Sequence, residues 1–227
     1  MADPRVLVGC GKMGGALLSG WIERGVDPQR LIIIEPAVEA AEYIRAAHGV
    51  RVEADASSLA ADTDPEVVIF AVKPQGLDAI APLYKVFSGG ATVFLSIAAG
   101  KTIEFFEAAL DDGAAIVRTM PNTPAAVGRG ITAAFANPHV DARQRALCQE
   151  LLEAVGEVVW VDDEGLLDAV TAVSGSGPAY VFLLIECLAE AGVEAGLPVD
   201  IAARLARATV AGSGELARLS SEAADQL

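Results

Sequence analysis

The chain has 227 residues, of which 53% are hydrophobic, and its formal net charge at pH 7 is −15. This length and composition accommodate one large domain or two modest ones, and they exclude a disordered polypeptide. The excess of acidic residues argues against a nucleic-acid partner and against an anionic membrane surface, since both attract basic proteins.

The first predicted element is an apolar strand over residues 6–8, followed at once by the pattern G-x-G-x-x-G and a helix over 15–23. In this pattern Gly9 allows a tight turn, Gly11 lets a pyrophosphate approach the backbone, and Gly14 lets the helix pack closely on the sheet. The free N–H groups at the start of the helix attract phosphate oxygens. The order of strand, turn and helix predicts a dinucleotide site, with a purely structural glycine turn as the alternative.

The second predicted strand covers residues 31–34 and ends in Glu35, 21 residues after Gly14. In dinucleotide-binding folds, a carboxylate at this place accepts hydrogen bonds from a free ribose diol and repels a 2′-phosphate. The sequence therefore predicts a preference for NADH over NADPH.

Strands and helices continue to alternate as far as residue 161. Strands are predicted at 67–71, 92–96, 115–117, 131–136 and 158–161, and helices near 38–47, 77–87, 103–110 and 143–155. The strands are almost entirely apolar, which is typical of a parallel sheet covered by helices on both faces. The pattern predicts an α/β, doubly wound Rossmann dinucleotide-binding domain over residues 1–161.

Residues 162–227 are predicted to form a second, all-helical domain. One helix is expected to start near Pro178 and to run to about 192, and another to follow the break at 196–198 and to run to about 219. Val181, Phe182, Ile185 and Leu188 give the first of these helices an apolar stripe. So few helices cannot bury their own apolar faces, so we expect them to pack on the first domain or on a second copy of the chain.

Loops at the predicted carboxyl ends of strands are candidates for ligand binding. Lys73 precedes a proline in one such loop, and a solvated loop lysine is the alternative interpretation. The small residues of 96–100 leave room for a flat ring, or form a plain turn. Asn122 lies between two prolines, which indicates a rigid positioning loop. The turn at Ser174 precedes a helix and could hold a carboxylate, or act as an ordinary helix cap.

Several features argue against other classes of protein. Cys10, Cys148 and Cys187 form no C-x-x-C pair, so we expect reduced thiols, a cytoplasmic location and no metal site. No export signal is recognisable. The longest apolar stretch, near Val181, contains Glu186, and we expect it to be too short and too polar to span a bilayer.

Taken together, the motifs resemble those of the pyrroline-5-carboxylate reductases. The matching stretches are the glycine turn at 9–14, AVKPQ at 71–75, SIAAG at 96–100, RTMPNTP at 118–124 and AVSGSGPAY at 172–180. The resemblance implies reduction of 1-pyrroline-5-carboxylate, a cyclic imine carboxylate, to L-proline, with NADPH or NADH as the hydride donor. It also implies a homo-oligomer, either a dimer or a ring of dimers, in which the helical domain joins the subunits.

The resemblance further implies which residues form the site. The implied cofactor-binding residues are Gly9, Gly11, Lys12, Met13, Gly14, Ala71, Val72, Lys73, Pro74, Ala98 and Ala99. The sequence patterns described above add Glu35 and Asn122 to this set. The implied substrate-binding residues are Glu164, Ser174, Gly175, Ser176 and Gly177. No catalytic acid and no metal ligand is assigned, so catalysis is expected to come mainly from holding the two rings together, which can supply ~7–11 kcal/mol in favourable cases.

The chain departs from the family pattern in three places. The Ser-Pro-Gly-Gly-Thr-Thr loop that holds the substrate carboxylate is not found before Leu227, so the helical domain is expected to be truncated and substrate reduction to be weak. Glu35-Pro36-Ala37 replaces an Arg- or Ser-rich turn, and Ala56 replaces an asparagine on the adenosine side.

Two alternatives remain at this point. One is a non-catalytic NAD(P)-binding homologue. The other is a different Rossmann imine or β-hydroxyacid reductase, although the latter normally has a catalytic lysine in its helical domain and residues 165–227 contain none.

Overall fold

A computed structural model describes residues 3–59 and 63–227. These residues form two compact units, one ending at Gly175 and the other spanning Ser176–Leu227. Residues 162–175 belong to the first unit, whereas the sequence predicts a domain boundary after residue 161. The functional division between the two predicted domains stays a prediction.

The first unit is built on an eight-stranded sheet in the order β3-β2-β1-β4-β5-β6-β7-β8, in which only the β6–β7 pair is antiparallel. Its strands are β1 (Arg5–Val8), β2 (Leu31–Ile34), β3 (Arg51–Glu53), β4 (Val67–Phe70), β5 (Val93–Ser96), β6 (Ala115–Met120), β7 (Gly130–Ala136) and β8 (Gly156–Trp160). The strand order reverses between β1 and β4, which is where open α/β sheets bind their ligands. The predicted doubly wound Rossmann fold is confirmed.

Helices cover both faces of this sheet. They are α1 (Lys12–Glu23), α2 (Val38–His48), α3 (Leu77–Ile80), α4 (Ile103–Ala109), α5 (Ala142–Glu153) and α6 (Leu166–Val170). Alternate strand residues enter two separate cores, one lined by Leu7 and Ile69 with Trp21 of α1, the other by Val68 and Phe70. Because both faces are buried, the central strands are apolar at nearly every position.

The structure departs from the predicted elements in three notable places. Strand β3 was not predicted, because Val52 is its only buried residue. The helix predicted over 77–87 is α-helical only to Ile80 and continues as a 3₁₀ segment over Ala81–Phe87, where Pro82 cannot donate a helical hydrogen bond. Strand β6 extends to Met120, three residues beyond its predicted end, because Arg118, Thr119 and Met120 pair with β7.

The second unit consists of two helices, α7 (Gly177–Glu194) and α8 (Val199–Leu219), which pack against each other. The packing is close at Gly192, where an added Cβ would lie 3.1 Å from the Cβ of Ala202. Large apolar side chains remain exposed on α7, among them Tyr180 (60%) and Phe182 (63%).

The helical stretch Leu166–Glu194 has 29 residues and is long and apolar enough to cross a membrane by length and composition alone. The expectation that this region is too short and too polar was therefore wrong, because α6, a π-helical turn and α7 follow one another in one helical run. Core helices of soluble proteins also pass this test of length and composition, so one such stretch is weak evidence for a membrane span.

Candidate functional site

The glycine turn lies between the carboxyl ends of β1 and β4, and two of its glycines are fixed there by close contacts. Gly9 has φ +89°, and a Cβ at this position would lie 2.6 Å from Cγ1 of Val72 and 3.1 Å from the carbonyl oxygen of Ala71. A Cβ at Gly14 would overlap the carbonyl oxygen of Gly9 and lie 3.2 Å from the Cβ of Ala71. The turn and the β4 loop therefore pack together only because side chains are absent at positions 9 and 14.

Gly11 is different, because a Cβ at this position would meet no heavy atom within 4 Å. It is also the N-cap of α1, and no side chain caps the first N–H groups of this helix. An open backbone at a helix N-terminus is suited to phosphate oxygens. The following Lys12 is exposed and Met13 is half-buried. These residues fit the pyrophosphate of a dinucleotide.

Glu35 follows β2 and is held against the glycine turn. Its Oε2 accepts a hydrogen bond from the Cys10 N–H (3.2 Å), and its Oε1 accepts one from the Ala37 N–H (3.1 Å). Burial, with a smaller effect from the Glu35 carboxylate, raises the pKa of the Cys10 thiol to about 11. Glu35 thus braces the turn, a role that the sequence pattern did not indicate.

The loop after β4 contains four of the predicted cofactor residues. Ala71 and Val72 are half-buried against the glycine turn, and Pro74 begins a 3₁₀ segment, Pro74–Gly76. Lys73 is exposed and has no ion pair with the described part of the chain. Its charge is therefore available to an anionic ligand.

The loop between β5 and α4 contains Ala98, which is buried, and Ala99, which is exposed. Ser96 Oγ accepts a hydrogen bond from the Ala98 N–H (3.2 Å), and the carbonyl oxygen of Ser96 accepts one from Thr119 Oγ1 (2.9 Å). At the other end of the loop, Thr102 caps α4 by accepting from the Phe105 N–H (3.3 Å). The small residues Ala98 and Ala99 therefore lie in a loop whose two ends are held by these hydrogen bonds.

The structure brings Asn122 and Ser174 together. Asn122 Nδ2 donates to Ser174 Oγ (3.2 Å), and Asn122 Oδ1 accepts from the Ile131 N–H (2.9 Å). Ser174 lies in a π-helical turn, Thr171–Gly175, a conformation often found at functional sites. Gly175, at the end of this turn, packs directly against Met120, because a Cβ at position 175 would overlap the Met120 side chain.

Glu164, predicted to bind substrate, is engaged by protein groups. Its Oε1 accepts hydrogen bonds from Arg118 Nη1 (2.7 Å) and from the Ile103 N–H (2.9 Å). Sequence reasoning did not foresee this connection. A charged residue at position 118, directly after the apolar run at 115–117, is the one signal that could have suggested it.

The remaining predicted residues, Ser176 and Gly177, begin the second unit at the start of α7. Lys101, in the loop before α4, is paired with Asp78 (2.8 Å) and lies 4.0 Å from the centre of the Phe105 ring. No group of three or more potential metal ligands is present within residues 3–59 and 63–227.

Two protein-family models match parts of the chain. Residues 164–227 match the family model described as pyrroline-5-carboxylate reductase dimerisation. Residues 6–100 match the model described as NADP oxidoreductase, coenzyme F420-dependent.

Individual relatives match almost the whole chain. The pyrroline-5-carboxylate reductase of Synechocystis sp. is 43% identical over 95% of this chain and 79% of its own length, and that of Pseudomonas aeruginosa is 38% identical over 98% and 81%. The solved structure of a pyrroline-5-carboxylate reductase from Coxiella burnetii matches with a TM-score of 0.92 at 33% identity, covering 100% of this chain and 83% of that one. The Plasmodium falciparum pyrroline carboxylate reductase, solved with NADP bound, matches with a TM-score of 0.83 at 27% identity, covering 99% and 82%.

Proposed function

The chain belongs to the pyrroline-5-carboxylate reductase family, and we infer that it reduces 1-pyrroline-5-carboxylate to L-proline by hydride transfer from NAD(P)H, the last step of proline biosynthesis. The observation that carries this inference is 43% identity to a reductase of this name over 95% of the chain. The comparisons give no support to a non-catalytic homologue or to a β-hydroxyacid reductase.

The described residues fit the cofactor half of this reaction. When bound, the nicotinamide supplies the hydride, and the chain binds and orients it. The uncapped start of α1 and the open face of Gly11 offer N–H groups to the phosphates. We propose that Ala71, Val72, Lys73 and Pro74, with Ala98 and Ala99, line the ribose and nicotinamide.

For the substrate half, we propose that Ser174 and its neighbours Gly175, Ser176 and Gly177 lie next to the imine, with Glu164 nearby. The support is the Asn122–Ser174 hydrogen bond, which fixes a hydroxyl group beside the segment that follows β6. No general acid is evident among residues 3–59 and 63–227, so we propose that orientation of the two rings supplies most of the catalysis.

We propose that the enzyme prefers NADH to NADPH. The carboxylate of Glu35 is held beside the glycine turn by two backbone N–H groups, so it cannot easily turn away from a 2′-phosphate. A matched pair of substitutions tests this. We expect Glu35→Gln to raise kcat/KM for NADPH relative to NADH by on the order of tenfold, about 1.4 kcal/mol, by removing the repulsion. Glu39→Gln, on the exposed surface of α2, is the control. A wild-type preference for NADPH would contradict the proposal.

The chain forms a homo-oligomer through its carboxyl-terminal helices, consistent with the dimerisation model matched there. We propose a dimer, alone or within a ring of dimers, and a cytoplasmic location. The exposed Tyr180, Phe182 and Leu184 of α7 supply an apolar surface for this contact.

The inference on function is tested by following NADH and NADPH oxidation with and without pyrroline-5-carboxylate. We expect oxidation that depends on the imine, with proline as the product. Cofactor binding without turnover would instead favour the non-catalytic homologue.

A further inference from the structure

We propose that Arg118 is a positioning residue for hydride transfer, which acts through Glu164 to fix the loop between β5 and α4. This loop, residues 97–102, carries Ala98 and Ala99. The inference rests on the proposed function, because only a reductase needs this loop to hold a nicotinamide ring in place.

The first end of the loop is fixed by β6. Thr119 Oγ1 donates a hydrogen bond to the carbonyl oxygen of Ser96 (2.9 Å), and both residues are buried. Ser96 and Arg118 are also direct partners in the parallel β5–β6 pairing. The chain therefore leaves β5 from a position that β6 determines.

The second end of the loop is fixed by the residue next to Thr119 on the same strand. Arg118 donates to Glu164 Oε1 (2.7 Å), and the same oxygen accepts from the N–H of Ile103, the first residue of α4. The Arg118 side chain is only 9% exposed and that of Glu164 is 26% exposed, so this pair is poorly screened by water.

Within the loop, the Ile97 N–H donates to the carbonyl oxygen of Phe70 (3.1 Å) and the Ala98 N–H to Ser96 Oγ (3.2 Å), both near the β5 end. Gly100 has φ +75°, a conformation that glycine adopts readily. The Lys101–Asp78 pair is mostly exposed on the aspartate side, at 67%, and such pairs contribute little. We infer that the Arg118–Glu164 pair supplies the decisive restraint at the α4 end.

A small displacement is enough to matter for this reaction. A misplacement of about 1 Å at a reacting centre can cost on the order of 100-fold in rate. Loosening the loop should therefore lower kcat and leave binding of the imine almost unchanged, since Arg118 acts at a distance.

The competing interpretation is that Glu164 contacts the substrate itself. A double-mutant cycle separates the two, because residues that act as one unit give non-additive effects. We expect Arg118→Gln and Glu164→Gln each to lower kcat by 10- to 100-fold, with the imine KM changed less than about threefold. The double variant should be no slower than the slower single variant, and Arg118→Lys should recover part of the loss.

Two further measurements keep the test decisive. A single variant leaves one charge of the pair unpaired, either the buried Arg118 or the half-buried Glu164, and can unfold. The double variant leaves neither charge, so its kcat decides if a single variant does not fold. Hydrogen exchange of residues 97–103 should quicken in Arg118→Gln. The control Asp78→Asn breaks the exposed ion pair of the same loop and should leave kcat within about twofold.

Each outcome has a defined meaning. A wild-type chain without imine-dependent turnover refutes the proposed function. Unchanged turnover in the double variant refutes the positioning role of Arg118 and leaves the proposed function intact. Three other results would also overturn the role of Arg118. One is a double variant whose loss of kcat equals the product of the two single losses. The others are a tenfold rise in the imine KM confined to Glu164→Gln, and a loss of kcat in Asp78→Asn equal to that in Arg118→Gln.

Discussion

Alanine substitutions at three neighbouring glycines should separate folding from cofactor binding. A Cβ at Gly14 would overlap the carbonyl oxygen of Gly9, and such overpacking costs about 1–3 kcal/mol. For a chain of this size, each kcal/mol corresponds to a shift of about 2–4 °C in Tm. A Cβ at Gly11 meets nothing within 4 Å, so Gly11→Ala should change stability by less than about 0.5 kcal/mol. Its methyl group would nevertheless occupy the open face offered to the pyrophosphate.

Gly15 provides the matched control. It lies one residue further along α1, and its Cβ would approach only the carbonyl oxygen of Cys10, at 4.0 Å. Gly15→Ala should stabilise the chain by about 0.5–1 kcal/mol, because alanine loses less backbone entropy in a helix.

The assay combines thermal unfolding with NADH titration. We expect Gly14→Ala to lose both stability and affinity, Gly11→Ala to lose only affinity, and Gly15→Ala to lose neither. The affinity loss for Gly11→Ala should be on the order of tenfold or more, equivalent to at least 1.4 kcal/mol. Unchanged NADH binding by Gly11→Ala would refute the assignment of this turn to the pyrophosphate, and a fully stable Gly14→Ala would refute the packing argument.

Three further predictions concern other parts of the chain. Burial raises the pKa of the Cys148 thiol to about 12 and that of the Cys10 thiol to about 11. Because the folded chain holds these protons more tightly than the unfolded chain, the resulting stability is fully present below pH 9 and is lost as the pH rises from 9 towards 12. Urea titrations across this range should show a steeper loss for the wild type than for Cys148→Ala, and parallel losses would contradict the argument. Ser174→Ala, which breaks the bond to Asn122, should lower kcat/KM by on the order of tenfold without a matching fall in Tm, and an unchanged kcat/KM would remove Ser174 from the site. Light scattering at micromolar concentration should give at least a dimer; a monomer mass would contradict the proposed interface on α7.

The parts of the site that are local in sequence could be predicted from it. The glycine turn and Glu35 are each fixed by short-range patterns, namely an apolar strand, turn residues and the end of the next strand. The apolar strands likewise indicated a covered parallel sheet. Strand β3 carried too little apolar signal, and the break in the helix after Ile80 depends on a single proline.

The connections between distant residues could not be predicted. Glu164 meets Arg118 across 46 positions of the chain, and Asn122 meets Ser174 across 52. Neither pair leaves a periodic or local signal, because each depends on where the sheet places two loops. The bracing of the turn by Glu35 belongs to the same class, since the pattern gives its position and not its hydrogen-bond partners.

The exposed apolar side chains of α7 make the oligomeric state of the protein, and with it the stability, dependent on protein concentration. If a second copy covers Tyr180, Phe182 and Leu184, assembly contributes free energy that an isolated chain lacks. By mass action, dilution then lowers Tm and raises the fraction of chains whose apolar helices are uncovered. Comparisons of variants are therefore meaningful only at one fixed protein concentration, and a substitution far from the cofactor turn can alter activity by changing how many chains are paired.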